Sequence, residues 1–552
     1  MSIPFNLVPM NIFIRFCLLL SLAHCNVLLY AQSPQDRPRL VVGVVVDQMR
    51  QDYLYRYWDK YGQNGFKRLL AGGFSFENTN YNYVPTTTAP GHSAIYTGST
   101  PSFHGIIGNE WHIRNSNRLM YCVQDEKVSA VGGSEISGKM SPANLLASTI
   151  TDELRLYTYD KSKVIGISIK DRGAIIPAGH HPTGAYWFDA ISGKFMSSTY
   201  YMKSLPSWID NFNSQGLPKK YLEAGWNTLK PIAQYTESMS DLNPYEGRLG
   251  DEKNAIFPKT FKTDKPNFGL VLSTPFGNTL ISELAKAAIS AESLGADTIT
   301  DILAMSYSSP DYAGHLFGLQ SVELEDLYLR LDLEIAGMLD FLDQKIGKNN
   351  YLLFLSADHG VAQVPQLLKD QGYPGDYFQS SKMLDSLKVI LETKFDKYVY
   401  DGYGGQQIFI NEERILNKRQ DRKAIVDVIK SFVKSWPGVI DVIDHNDIPF
   451  LSTANPVYNK IQLGYFPSRS GDLMIITQPG WFESPFLTGT THASPYTYDT
   501  HIPMLWYGWH IPQGKSYTNY NITDIAPTLS ALLHIPLPNA AFGKVMNEVV
   551  RN

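Results

Sequence analysis

Three stretches of this chain are nearly continuous apolar runs: residues 40–46, 302–307 and 352–356. Strands that are apolar at nearly every position, rather than at alternate positions, are typical of a parallel sheet covered on both faces. An amphipathic pattern over residues 322–345 predicts one of the helices that cover such a sheet. The sequence therefore predicts an α/β fold with a mostly parallel central sheet flanked by helices.

Carboxylates and imidazoles follow these apolar runs. They are Asp47 after the first run, Asp311 and His315 after the second, Asp358 and His359 after the third, and His492 in residues 489–492. Sheets of this kind bind ligands at the carboxyl ends of their strands, so we expect the six side chains to meet at one edge. Oxygen and nitrogen ligands without a thiolate suit two zinc-like ions. The pattern predicts a metallohydrolase.

The composition of the 552-residue chain is that of an ordinary soluble globular protein, with 43% hydrophobic and 18% charged residues. Its formal net charge of -5 argues against a general nucleic-acid binder, because such proteins usually carry a basic patch. We therefore expect no nucleic-acid partner.

The N-terminus has the pattern of a cleaved signal peptide. Arg15 is the only charged residue before Asp36, and a short apolar stretch at 16–23 follows it. A spanning helix needs about 20 apolar residues, and this stretch is shorter. We expect residues 1–31 to be the signal peptide and the mature chain to begin near Gln32, which predicts a periplasmic or secreted protein.

The three cysteines fit export without proving it. Cys17 and Cys25 lie in the expected signal peptide, and Cys122 remains alone in the mature chain, so no internal disulfide forms. The residues before Cys25 faintly resemble a lipoprotein cleavage box, which makes lipid anchoring a minor alternative. No later apolar run is long enough to cross a membrane.

The chain alternates between regular α/β segments and less regular ones. Candidate helices near 382–395 and 422–436, with a strand at 407–410, indicate a separate subdomain. We predict a core α/β domain with two inserted subdomains over the active site, divided into 39–177 (core), 178–260 (insertion), 261–369 (core), 370–471 (inserted α+β subdomain) and 472–552 (core).

The segment 85–98 (Pro-Thr-Thr-Thr-Ala-Pro-Gly-His-Ser-Ala-Ile-Tyr-Thr-Gly) predicts a threonine at a helix N-terminus. Exposed amide groups and the helix dipole make such an end an anion site. A threonine hydroxyl is a weak nucleophile unless a metal or base lowers its pKa. Capping the helix is the alternative role for these threonines, but the six nearby candidate ligands favour a nucleophile.

With these residues the chain resembles the alkaline phosphatase superfamily, over about residues 39–545. The shared features are ordered along the chain: Asp47, the Pro-Thr-x-Thr segment, Thr-Gly-x-x-Pro-x-x-His-Gly at 97–105, Asp311-x-x-x-His315, Asp358-His359-Gly360, His492 and the tail at 524–529. The resemblance implies an alkaline-phosphatase-like core with a Thr88 nucleophile and two zinc ions. Asp311, His315 and His492 would hold one ion, and Asp47, Asp358, His359 and Thr88 the other.

Three branches of the superfamily compete. Sulfatases carry a Cys/Ser-x-Pro-x-Arg motif, which segment 85–98 lacks. Nucleotide pyrophosphatase/phosphodiesterases share the threonine and a downstream asparagine, here Asn109, but lack a cationic pair over the phosphoryl group. Lys170-Asp171-Arg172 resembles the Lys-x-Arg element of the phosphate-irrepressible alkaline phosphatases, which are periplasmic monoesterases. A solvated turn is the alternative role for this pair.

Charge favours the same branch. A phosphate monoester is a dianion with three non-bridging oxygens, and two metal ions with Lys170 and Arg172 would match that charge. By the resemblance, Asn109, Lys170 and Arg172 would bind the phosphoryl oxygens. The sequence thus predicts an exported two-zinc alkaline phosphatase that hydrolyses small-molecule phosphate monoesters through a phosphothreonine. A phosphodiesterase or nucleotide pyrophosphatase is the alternative, and the oligomeric state is left open.

Overall fold

The computed structural model describes residues 36–550, except residues 117, 263 and 397. The expected signal peptide and Cys25 lie outside the described residues. None of the helices within 36–550 combines the length and hydropathy that crossing a membrane requires.

A ten-stranded mixed sheet forms the centre of the fold, and most of its inner strands run parallel as predicted. In spatial order its strands are β20 (Gly514–Ser516), β2 (Phe74–Phe76), β19 (Met504–Gly508), β11 (Tyr351–Ser356), β1 (Leu40–Val46), β10 (Asp301–Tyr307), β7 (Val164–Ser168), β8 (Gly184–Asp189), β9 (Lys194–Ser198) and β6 (Ala130–Val131). All seven residues of β1 are buried, because β1 is central and its valines pack on both faces.

Helices cover the sheet. The helix Val322–Lys345 has the predicted bounds, and Pro275–Ala291 begins with a proline, which suits the first turn. The remaining α-helices are Tyr53–Arg56, Phe66–Gly72, Thr88–Thr97, Pro101–His104, Glu135–Gly138, Ile150–Tyr157, Asp171–Ala178, Ser207–Ser214, Leu217–Ala224, Ser309–Phe317, Pro365–Asp370, Ser380–Lys394, Glu412–Asn417, Arg422–Lys434, Pro456–Gly464, Thr497–Thr500, Ile525–Leu533 and Asn547–Val550. The 3-10 helices are Trp58–Lys60, Ile232–Gln234, Phe268–Ser273, His445–Phe450 and Ile522–Asp524.

A second, four-stranded sheet has its own core under the helices Ser380–Lys394 and Arg422–Lys434. Its order is β13 (Tyr400–Gly404), β14 (Gln407–Ile410), β16 (Leu473–Thr477) and β15 (Val439–Asp444). The sequence predicts that the core resumes at residue 472, and this is wrong for β16, which pairs with β14 and β15 instead. A short apolar strand has the same pattern in either sheet, so its partner cannot be read from periodicity.

The expected insertion at 178–260 is also corrected at its start. Strands β8 and β9 lie within it, yet β8 pairs in parallel with β7 and extends the central sheet. Glycine, serine and tyrosine around these strands weaken the apolar pattern and conceal them.

Smaller sheets complete the fold. They are β18 (His501–Ile502) with β3 (Thr79–Asn80) and β21 (Tyr520–Asn521), the hairpin of β4 (Glu110–Ile113) and β5 (Arg118–Tyr121), and β12 (Asp376–Tyr377) with β17 (Trp481–Phe482).

Candidate metal centre

The strand register brings the predicted ligands to one edge of the central sheet. Strand β1 pairs in parallel with β10 and β11, which aligns Val46 with Tyr307 and Val45 with Ser356. Asp47 directly follows β1, while Asp358 lies just beyond β11. The helix Ser309–Phe317 begins soon after β10 and carries Asp311 and His315 one turn apart.

The six side chains form two groups of three. Asp311, His315 and His492 make one group, and Asp47, Asp358 and His359 make the other. Within each group the potential ligand atoms lie within 4.8 Å of one another. The imidazole rings of His359 and His492 stack across the groups, with their centroids 3.5 Å apart. The two groups are therefore neighbours.

Each histidine is oriented by a backbone carbonyl. The Nδ1 atoms of His315, His359 and His492 lie 2.7, 2.9 and 2.6 Å from the carbonyl oxygens of Thr490, Gly360 and Thr86. If Nδ1–H donates in each case, Nε2 carries the lone pair. This arrangement is common for metal-binding histidines, because it fixes the ring and its tautomer.

In the second group the inward-facing atoms have no hydrogen-bond partner among the described residues. These atoms are Asp47 Oδ1, Asp358 Oδ2 and His359 Nε2, and all are buried. His359 Nε2 lies 3.5 Å from Asp47 Oδ1 and 3.6 Å from Asp358 Oδ2. Buried polar atoms are normally satisfied, so three unsatisfied atoms facing one another fit a cation.

The pKa shifts of His359, His492 and Asp358 agree with a cation site, whereas, despite burial, Asp311 raises the pKa of His315. Burial lowers the pKa of His359 to about 3, and burial together with His359 holds the pKa of His492 well below its usual range. Both rings are therefore neutral, as metal ligation requires. Burial and then the negative charge of Asp47 raise the pKa of Asp358 well above its usual value. A bound cation would relieve this repulsion.

Lys170 lies between the two groups. Its Nζ donates to Asp47 Oδ2 at 2.7 Å and to Asp311 Oδ2 at 2.5 Å, and lies 3.5 Å from Thr88 Oγ1. Burial alone would lower the pKa of Lys170, but Asp311 and Asp47 reverse the effect and raise it. Lys170 thus reaches both groups and Thr88 in this structure.

Thr88 is the first residue of the helix Thr88–Thr97, and Asn109 is held beside it. Thr88 is 1% exposed, and the N–H of Ala89 donates to Asn109 Oδ1 at 2.9 Å. The helix packs tightly against the segment that follows β11. Only a glycine fits at position 91, since a Cβ there would collide with the carbonyl oxygen of Asp358. The helix N-terminus therefore faces the second ligand group.

Arg172 is held by a tyrosine that the sequence reasoning did not identify. Arg172 Nη1 donates to the Tyr121 hydroxyl at 2.9 Å, and that hydroxyl donates to Asp171 Oδ1 at 2.6 Å. Tyr121 ends β5, whose hairpin begins immediately after Asn109. No motif marked Tyr121, because its proximity to Arg172 arises only from the folded hairpin.

Gln48 also escaped the sequence reasoning, and it links the two groups. Its Nε2 donates to Asp311 Oδ1 at 2.7 Å, and its backbone N–H donates to Asp358 Oδ1 at 3.1 Å. Its φ of 67° is unusual for a residue other than glycine. Its position directly after Asp47 was the only available sequence signal.

A third candidate group lies outside this centre. Glu412, His445 and Asp472 approach one another near the second sheet. Arg114 donates twice to Asp472, and Arg422 donates to Glu412 at 2.6 Å. These guanidinium groups already balance the carboxylates, so this group is an ion-pair network rather than a metal site.

Residues 41–492 match the family described as type I phosphodiesterase / nucleotide pyrophosphatase. The chain is 47% identical to alkaline phosphatase PhoV of Synechococcus elongatus over 93% of both chains. It is 45% identical to alkaline phosphatase PafA of Elizabethkingia meningoseptica, over 93% of this chain and 95% of the relative.

The solved structure of PafA has the same fold. It superposes with a TM-score of 0.91 at 45% identity, covering 93% of this chain and 99% of that chain. A PafA variant, in which one Thr is changed to Ser and one Asn, one Lys and one Arg are changed to Ala, superposes with a TM-score of 0.90 at 44% identity over the same shares. This likeness confirms the predicted fold class.

Proposed function

The chain belongs to the type I phosphodiesterase / nucleotide pyrophosphatase family of the alkaline phosphatase superfamily, and from this we propose that it is an exported two-zinc alkaline phosphatase. It hydrolyses phosphate monoesters through a covalent phosphothreonine at Thr88. Relatives that bear the name alkaline phosphatase, at 45–47% identity over most of the chain, support this proposal. Export rests on the pattern of residues 1–31, and the intact mass of the exported protein tests it.

One observation carries the proposal: Lys170 Nζ contacts a carboxylate of each ligand group and lies 3.5 Å from Thr88 Oγ1. The candidate nucleophile and both groups therefore share one small volume. A phosphoryl group bound beside Thr88 would therefore contact the nucleophile and both ligand groups at the same time. Enzymes that transfer phosphoryl groups gain most of their rate from such positioning and charge.

The residues present fit zinc. Each group offers carboxylate oxygen and imidazole nitrogen ligands, with the second group's three facing atoms unsatisfied among the residues described. Zinc ions bound there would neutralise charge on the attacking and leaving oxygens of an in-line displacement.

The residues of the chain have distinct roles in the two steps. Thr88 Oγ loses its proton and attacks phosphorus, the ester P–O bond breaks, and the alcohol leaves with a proton. Water then loses a proton and attacks the phosphothreonine, the Oγ–P bond breaks, Thr88 Oγ regains a proton, and inorganic phosphate is released. Asn109, Lys170 and Arg172 hold the non-bridging oxygens, while the N-terminus of Thr88–Thr97 faces the negative charge.

Monoester preference rests on Lys170 and Arg172. A monoester has a third non-bridging oxygen that carries negative charge. In a diester this oxygen is esterified and uncharged, so two cations beside it favour the monoester. The crystallised PafA variant supports these positions. Along the sequence, its changed Thr and Asn are separated by the same number of residues as Thr88 and Asn109. Its changed Lys and Arg are two positions apart, as are Lys170 and Arg172.

A phosphodiesterase or nucleotide pyrophosphatase is the second candidate, because the matching family model carries that description. The experiment that separates the two compares kcat/KM for an aryl phosphate monoester and the corresponding diester on zinc-loaded protein. A monoester preference supports the phosphatase, and a diester preference supports the second candidate.

Tyr121→Phe should weaken monoester preference. The change removes the hydroxyl that accepts from Arg172 and donates to Asp171. A hydrogen bond to a charged group contributes about 1.5–3 kcal/mol, so we expect kcat/KM for the monoester to fall about tenfold or more, and that for the diester to fall less. Paired steady-state assays on the two substrates check this.

Tyr458→Phe is the matched control. It removes another hydroxyl that donates to a carboxylate, at 3.0 Å to Asp441 Oδ2 in the second sheet. The control should leave the monoester-to-diester ratio unchanged. An equal loss on both substrates in Tyr121→Phe would mean that Tyr121 does not act through Arg172.

A further inference from the structure

A cavity of about 210 Å³ lies beside the candidate site. Its wall includes Thr87, which precedes Thr88, and Asn109, which accepts a hydrogen bond from the Ala89 N–H. It also includes Ala493, which directly follows His492. The cavity therefore borders both the nucleophile segment and the first ligand group. Ala493 has a φ of 104°, a strained value that persists only where surrounding structure fixes the backbone.

We propose that this cavity binds the leaving group of the substrate, and that it selects an uncharged aromatic alcohol. The inference rests on the function proposed above and names the class of monoester that the site takes. Trp111 and Phe409 line the cavity together with Ile107 and Pro85. Trp111 is 6% exposed and Phe409 is 1% exposed, so both rings are fixed before a ligand binds.

Each ring is backed by an arginine. The guanidinium of Arg469 lies 4.9 Å from the ring centroid of Trp111, and that of Arg114 lies 5.4 Å from Phe409. Arg114 also pairs with Asp472, while Arg469 donates to the carbonyl oxygen of Asn144 at 2.8 Å. Both cations are thus already engaged, and neither belongs to the cavity wall as described.

Charge at the cavity disfavours an anionic leaving group. Among the described residues that line it, Glu110 alone carries a formal charge, and Glu110 is exposed. A leaving group with a carboxylate or a second phosphate would meet this negative charge and no balancing cation in the wall. The volume suits one ring, because pockets for drug-sized ligands are commonly about 300–1,000 Å³.

Residues of the second sheet form one wall of the cavity, so a substitution in this sheet can change the cavity volume. Gly404 at the end of β13 lies in the wall, and a Cβ at Gly404 would meet nothing within 4 Å. The first carbon of a side chain at position 404 therefore meets no steric clash, and Gly404→Leu adds apolar volume at this wall. It should narrow the cavity while leaving the candidate ligands in place.

The test measures kcat/KM for phenyl, 4-carboxyphenyl and methyl phosphate in the zinc-loaded wild type and in two variants. Comparing ratios between proteins cancels the intrinsic reactivity of each ester. We expect Glu110→Gln to raise the 4-carboxyphenyl-to-phenyl ratio about twofold to fivefold, the range of an exposed charge. We expect Gly404→Leu to lower the phenyl-to-methyl ratio about tenfold, because the ring loses apolar contact with the cavity wall. Glu223→Gln, which removes an exposed carboxylate elsewhere, should change neither ratio.

Ratios that stay the same in both variants would overturn the cavity as a leaving-group site, even though the protein hydrolyses monoesters. Wild-type protein that hydrolyses none of the three esters would overturn the proposed function, and this inference with it.

Discussion

Thr88→Ala should abolish phosphate monoester hydrolysis. Thr88 begins the helix Thr88–Thr97 and is buried against Lys170, so the change removes the proposed nucleophile while a small side chain keeps the helix. Loss of a nucleophile costs several powers of ten in kcat, and we expect a fall of roughly 10³-fold or more. Steady-state kinetics with an aryl phosphate measures the fall.

Mass spectrometry after acid quenching separates the nucleophile from a binding role. The wild type should carry a phosphoryl group on the peptide that contains Thr88, and Thr88→Ala should carry none. Thr88→Ser, which keeps a hydroxyl, should retain part of the activity and the modification. A Thr88→Ala protein with activity within tenfold of wild type would exclude the covalent mechanism.

Removal of bound metal should abolish activity and lower Tm. The centre contains the carboxylates of Asp47, Asp311 and Asp358, and Lys170 pairs with the first two. Bound metal ions would supply the further positive charge that these buried carboxylates need. An ion present at 100 times its Kd stabilises the folded protein by about 2.7 kcal/mol. Activity, Tm and metal content should fall together on chelation and return with zinc.

Single variants distinguish the metal centre from other clusters. His359→Ala should reduce the amount of zinc bound per chain, because His359 Nε2 faces Asp47 and Asp358. His445→Ala alters the ion-pair network beside Asp472 and should leave zinc content unchanged. Full activity in protein whose measured metal content is negligible would contradict the account.

The candidate ligands could be identified from the sequence because each follows an apolar strand or lies in a short motif. Parallel strands end at a common edge, so Asp47, Asp311 and Asp358 had to approach one another once β1, β10 and β11 were paired. The helix Val322–Lys345 was predictable for a similar reason, since its apolar residues repeat with the period of a helix.

Contacts between distant segments were not predictable. Tyr121 reaches Arg172 only because the β4–β5 hairpin folds back, and Gln48 joins the two ligand groups only after β1 takes its place in the sheet. Strand β16 was assigned to the wrong sheet, because a run such as Leu473–Thr477 does not specify its neighbours. The roles assigned to Thr88, Asn109, Lys170 and Arg172 remain predictions.

The most direct test of the central claim is a paired assay of zinc-loaded wild type and Arg172→Ala, with an aryl phosphate monoester and the corresponding diester. Removing a well-placed donor from a developing oxyanion costs about 10²–10³ in rate. We expect a large monoester preference in the wild type, and a fall of that size on the monoester, with little change on the diester, in Arg172→Ala. A wild-type preference for the diester that Arg172→Ala leaves unchanged would contradict the phosphatase and support the phosphodiesterase.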